Sequence, residues 1–228
     1  MKIKAVVFDL YRTLIDDSGV EVQRENYIKE SLYSLLEKNL YPVKHKEVVA
    51  AYQEMKEVME DFHKRQVAFG AFSQVKYLAE KLHVNDHVLF HKMFDLYSMA
   101  VLHLSPKFMP HTLDALELLK DNGIKIGLIS NTGITPGFAL RLWLEERKVA
   151  NLFHTMLFSD EVGVLKPNSL IFEIMAFCLG LAPESILFIG DTPTIDYEGA
   201  LAAHFQAHLF KPEEENLYEI VAKYIGKV

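Results

Sequence analysis

The sequence predicts an α/β fold: a doubly wound parallel sheet interrupted once by a long helical insert. Three observations predict it. Short unbroken apolar runs recur, each ending on a polar cluster; stretches of helical periodicity separate them; and one span holds helical patterning alone. Apolar runs without alternation mark strands covered on both faces, as in a parallel sheet. Strands alternating with helices then give layers of helix on either side of that sheet.

The first such run is "IKAVVF" (3–8), which stops at Asp9. From 17 to 103 no strand run appears. "ENYIKESLYSLLEKNL", "KEVVAAYQEMKEVMEDFHKR", "FSQVKYLAEKLH" and "HVLFHKMFDLYSMAVLHL" each place apolar residues at helical spacing. Four amphipathic helices in succession predict a small bundle, a cap over the carboxyl end of the first strand. After it, "HTLDALELLKDNG" (111–123) repeats leucine every three or four residues until Gly123 closes the helix. "IKIGLIS" (124–130), "TMLFS" (155–159) and "SILFIG" (185–190) read as further buried strands. The predicted division is a Rossmann-like core of 1–16 and 104–228 and a helical cap of 17–103.

A chain of 228 residues can bury a substantial core. Its net charge of −7 excludes a general nucleic-acid binder, which needs a basic face. A small anionic substrate is compatible with that charge, because local cations decide its binding. Cys178 is the only cysteine, so no disulfide framework or cysteine zinc site is expected. Within the apolar helix "IFEIMAFCLGL" it reads as a buried thiol. "KIKAVVFDL" lacks the layout of a signal peptide, and no apolar run reaches the ~20 residues that span a bilayer. The expectation is a cytoplasmic protein without membrane contact, monomer or homodimer.

Ligands of parallel α/β sheets gather at the carboxyl ends of the strands. The polar residues predicted there are Asp9, Tyr11 and Thr13; Ser130 and Asn131; Lys166 before Pro167; and Asp191 and Asp196. Singly, Asp9, Ser130, Asn131 and Asp191 read as turn or helix-cap residues, and Lys166 as an exposed loop lysine. Taken in order, "DLYRT", "SNT", "KP" and "GDTPTID" resemble the four motifs of haloacid dehalogenase superfamily hydrolases, and the resemblance covers essentially the whole chain.

The resemblance implies a covalent phosphohydrolase. Asp9 would be the nucleophile, forming an aspartyl-phosphate. Ser130, Asn131 and Lys166 would bind the phosphoryl oxygens, and Thr13 would pin the loop or the phosphate. Mg²⁺ would be held by Asp9, the backbone carbonyl of Tyr11, and Asp191, with Asp196 orienting Lys166 or a metal-bound water.

One residue departs from the phosphatase pattern. That pattern has a second aspartate at the position of Tyr11, serving as general acid and base, and a common glycine at the position of Arg12. Tyrosine there resembles the 2-haloacid dehalogenase branch, which needs no metal. Those dehalogenases, however, carry a serine- and asparagine-rich fourth motif, whereas here Asp191 faces Asp9 and two crowded carboxylates call for a cation. The predicted activity is therefore a Mg²⁺-dependent phosphohydrolase, weak on alkyl phosphates for want of its acid. Two alternatives stand beside it: a metal-independent 2-haloacid dehalogenase, and a protein that binds phosphate and metal with little turnover. Arg24 and Arg65 are the only arginines of the cap, and neither matches a dehalogenase motif. His83, His87 and His91 recur every four residues and read as a solvated face, and Trp143 reads as packing.

Overall fold

A computed structural model describes residues 2–227. In chain order the strands are β1 (Ala5–Phe8), β2 (Ile15–Asp16), β3 (Lys107–Phe108), β4 (Lys125–Ser130), β5 (Thr155–Phe158), β6 (Ile186–Gly190) and β7 (Gln206–Leu209). The helices begin with α1 (Glu21–Lys38), α2 (His45–Lys64), α3 (Ala71–Lys81), α4 (His87–Ser98) and α5 (Ala100–His103). They continue with α6 (Thr112–Asp121), α7 (Gly137–Glu146), α8 (Ser159–Val162), α9 (Ser169–Leu179), α10 (Glu198–Ala202) and α11 (Leu217–Tyr224).

Five strands form a parallel sheet in the order β5-β4-β1-β6-β7, with β1 at its centre. The pleat sends alternate residues to opposite faces. Val6 and Phe8 pack with Leu116, Leu140 and Val221, while Ala5 and Val7 pack with Phe172, Met175 and Ala200 on the far side. All four positions are fully buried, which explains why the run shows no alternation. Gly123 ends the helix before β4 in a left-handed conformation, φ 66°, which glycine adopts without steric penalty.

Helices α1 to α5 pack around an apolar cluster of their own, which includes Ile28, Tyr52, Val75, Met93 and Tyr97. The last predicted helix divides at Met99 into α4 and α5. This helical layer also touches the sheet layer. Ala68 N–H donates to Gly163 O at 3.3 Å and Leu165 N–H to Gln66 O at 3.2 Å. Phe94 stacks on Phe138 with ring centroids 6.0 Å apart. Arg24, 4% exposed, ties the two chain crossings together by donating to both Asp17 carboxylate oxygens and to the Leu104 carbonyl.

Three features differ from the sequence reading. Strand β7 went unread because it lies at the sheet edge: all four residues are half-buried, and Gln206 and His208 break the apolar run. The antiparallel pair of β2 and β3 is only two residues a side. Cys178 is exposed, a correction of the buried thiol expected from its apolar helix. Leu179, one residue on, turns inward while Phe177 and Cys178 turn outward, so an apolar run overstated the buried face. Trp143 is fully buried, and His83, His87 and His91 are exposed, as predicted.

Candidate active site

The chain leaves β1 at Asp9 and turns sharply. Leu14 N–H and Ile15 N–H both donate to Leu10 O at 2.9 Å, and Arg12 N–H donates to Ile15 O at 2.7 Å. This turn places Arg12 in the left-handed region at φ 59°, a conformation that costs a non-glycine residue about 1–2 kcal/mol. The carboxyl ends of β4 and β6, the neighbours of β1, deliver Ser130 and Asp191 beside it.

Lys166 lies at the centre. It is 2% exposed, and its Nζ donates to Asp9 Oδ1 and to Asp196 Oδ1, both at 2.6 Å. A lysine buried so deeply persists only when paired. Burial by itself would depress its pKa, but the two carboxylates outweigh that and hold it above the ordinary lysine value. The Asn131 amide clasps the Lys166 backbone from both sides: Nδ2 donates to Lys166 O at 2.9 Å, and Oδ1 accepts from Lys166 N–H at 2.8 Å. Asn131 is therefore engaged in holding the lysine loop through one of its two amide N–H groups and its carbonyl oxygen, which leaves the second N–H as a donor.

Asp196 is fixed as firmly. Its Oδ2 accepts from Thr192 N–H at 3.0 Å, and its carboxylate packs against Gly190. A Cβ at Gly190 would meet the Asp196 Cγ at 2.5 Å, so the glycine leaves room for the acid. Asp9 is pushed up to about 7, first by burial and then by the Asp196 and Asp191 charges, with Lys166 pulling the other way. Asp9, Asp191 and Asp196 each bring a carboxylate oxygen within 4.8 Å of the others. An all-oxygen set with more negative than lysine charge fits a hard divalent cation. The structure thus brings Asp9, Lys166, Asp191 and Asp196 into one cluster.

Two hydroxyls complete the floor. Thr13 is buried and its Oγ1 has no hydrogen-bond partner; Ser130 is buried with Oγ only 3.4 Å from the Asn131 carbonyl. Both are oriented by the fold without being fully used by it, and such donors suit an incoming anion. Tyr11 packs its ring against the apolar cluster of the sheet. Burial, followed by the Asp17 carboxylate, raises its phenol further above the ordinary value.

A cavity of about 730 Å³ opens between the sheet and the helical layer. Tyr11, Arg12 and Lys166 line it from below, and Arg24, Lys56 and His63 from above. Sequence reading missed three of its residues. Arg12 was noted only as a replaced glycine, yet its Nε donates to Asp191 Oδ2 at 2.9 Å. Asp17 was placed at a boundary, yet it lines the cavity and pairs with Arg24. His63 was absorbed in a helix pattern, yet its Nε2 is buried without a partner and burial lowers its pKa. No local motif marks these positions, because the turn after β1, the segment before α1 and the packing of α2 bring them to the cleft.

With this geometry in view, the relatives become informative. A family model for haloacid dehalogenase-like hydrolases matches residues 3–204. A glyceraldehyde 3-phosphate phosphatase of Methanopyrus kandleri is 31% identical over 209 residues, covering 87% of this chain and 79% of the relative. In fold, a 2-haloacid dehalogenase from Pseudomonas syringae superimposes with a TM-score of 0.75 at 20% identity, covering 99% of both chains. A phosphatase from Thermococcus onnurineus gives 0.64 at 19% identity, covering 100% of this chain and 99% of the other. The match over nine-tenths of the chain, with the acidic cluster and its buried lysine at the sheet's carboxyl edge, makes this protein a member of the haloacid dehalogenase-like hydrolases.

Proposed function

We propose that this hydrolase is a Mg²⁺-dependent phosphohydrolase acting on a small phosphorylated molecule through an aspartyl-phosphate at Asp9. The observation that carries this reading is the buried Asp9–Lys166–Asp196 chain with Asp191 alongside. A haloacid dehalogenation needs no second carboxylate facing its nucleophile, whereas a cation site does. The relative with 31% identity is named for a phosphatase, and the dehalogenase likeness, at 20% identity, supports the fold alone.

The roles follow from the geometry. Asp9 Oδ1 is held by Lys166, which leaves Oδ2 to attack phosphorus. Lys166, the Ser130 hydroxyl and the orphan Thr13 hydroxyl would meet the three phosphoryl oxygens, supplying fixed donors where charge concentrates. Asp9, Asp191 and the backbone carbonyl of Tyr11 would hold the ion. Bound there, Mg²⁺ would neutralise phosphoryl charge and keep Asp9 ionised despite its burial. Asp196 would orient Lys166, and the helical layer would act as a cap that excludes water and selects the substrate.

Turnover of an aryl phosphate such as p-nitrophenyl phosphate should require Mg²⁺ and vanish with chelator. Equal rates in both conditions would overturn the metal-dependent reading, and metal-independent release of halide from a 2-haloacid would establish the dehalogenase instead.

Tyr11 sets the substrate range. A half-buried phenol with a raised pKa keeps its proton near neutrality and is a poor donor to a leaving alcohol. General acid–base catalysis contributes roughly 10²- to 10⁴-fold, so alkyl phosphates, whose alcohol must leave protonated, should turn over slowly relative to aryl or acyl phosphates. Tyr11→Asp should raise kcat/KM on an alkyl phosphate by roughly 10-fold or more while changing aryl phosphate turnover much less. Equal change on both substrates would locate the limitation elsewhere.

A further inference from the structure

We propose that Arg12 is an intramolecular competitor for the metal-binding carboxylate Asp191, displaced when cation and phosphate bind together. The inference rests on the reading of Asp191 as a metal ligand and adds to it a residue that the sequence pattern gives no role.

The charge balance of the cluster is nearly closed without any ion. Lys166 serves Asp9 and Asp196, and Arg12 serves Asp191 through Nε at 2.9 Å. An arginine keeps its charge at any accessible pH, so it cannot make way by deprotonating. A dication sharing Asp191 would be repelled by the guanidinium, and one of the two must withdraw. Lys166 cannot, because it is enclosed and gripped at both its amine and its backbone. Arg12 can: its side chain is 63% exposed against 13% for Asp191, and it already lines the open cavity.

An exposed arginine released from Asp191 stands beside the place where a phosphate would rest. Its planar fork of donors matches phosphate oxygens. Phosphate therefore offers Arg12 a second partner and removes the competitor from the metal ligand. Cation and phosphate should accordingly strengthen each other's binding by the same factor.

Isothermal titration calorimetry of Mg²⁺ into the wild type and Arg12→Gln, with and without inorganic phosphate, tests this directly. Without phosphate the variant should bind Mg²⁺ about 3- to 10-fold more tightly, because a partly exposed pair is modest in strength. Phosphate should tighten Mg²⁺ binding more in the wild type than in the variant, and Arg12→Lys should retain part of the competition. Equal or weaker Mg²⁺ binding by Arg12→Gln overturns the competition alone, and equal coupling in the two proteins overturns the transfer of Arg12 to the anion. Failure of both proteins to bind Mg²⁺ overturns the metal site itself and this inference with it. The exposure of Arg12 makes loss of folding an unsuitable explanation, and unchanged unfolding temperatures would verify that.

Discussion

Asp9→Asn should reduce aryl phosphate turnover by roughly 10⁴-fold or more while leaving a folded protein, since removal of a nucleophile eliminates the covalent route. Asparagine keeps the shape of the side chain but cannot form the acylphosphate. Its stability should match or exceed that of the wild type. The carboxyl of Asp9 sits at about 7 in the folded chain, against 3.8 for the free group. Above pH 7 the fold therefore carries the penalty of a charged, buried Asp9. That penalty fades as pH falls from 7 toward 3.8, and a neutral amide removes it throughout. Lys166 remains paired with Asp196 in this variant, so no buried cation is stranded. Rapid-quench trapping of labelled enzyme and unfolding by heat would measure the two effects. Residual turnover within tenfold of wild type would remove Asp9 from the nucleophile's role.

Lys166→Met should be the most destabilising single change at this site. Breaking a buried ion pair by removing one partner costs about 3–5 kcal/mol, and here one lysine serves two carboxylates. For a chain of this length that corresponds to a fall in Tm of roughly 10 °C. Asp9 and Asp196 would be left buried side by side with like charges and no cation between them. The lost stability should therefore return as pH falls, since protonation removes the repulsion, and persist at alkaline pH. Catalysis should fall by about 10²- to 10³-fold on top of this, the loss typical of one donor to a developing anion. Asp196→Asn added to Lys166→Met should recover part of the stability and none of the activity. Melting curves between pH 5 and 9 would separate these contributions, and a pH-independent loss would mean that cavity formation, not charge, dominates.

Much of this fold was legible because its interior is two-sided. The four runs at 3–8, 124–130, 155–159 and 185–190 became strands within two residues of their limits, since a strand buried on both faces has an uninterrupted apolar pattern. The edge strand β7 and the two-residue pair of β2 with β3 carry no such pattern, and tertiary pairing decides them. Cys178 shows the converse: a helix can be apolar nearly all round and still leave one side in solvent.

The candidate site divides in the same way. Asp9, Thr13, Ser130, Lys166, Asp191 and Asp196 were visible because each follows a strand or falls in a short motif, and chemistry restricts the residue types there. The sequence by itself determined the class: four ordered polar clusters at strand ends, and Tyr11 standing in the place of an acid. Tertiary structure alone decided what the remaining polar groups do. Asn131 holds the Lys166 backbone, and Arg12 pairs with Asp191 at the end of the neighbouring strand, 179 residues away in the chain. Arg24 and His63 came to the cleft through helix packing, and Asp17 through its pairing with Arg24. Motif residues are constrained by the chemistry of one position and can be read locally. The partners of a charge depend on which distant segments the packed core brings within about 3 Å, and no local pattern records that distance.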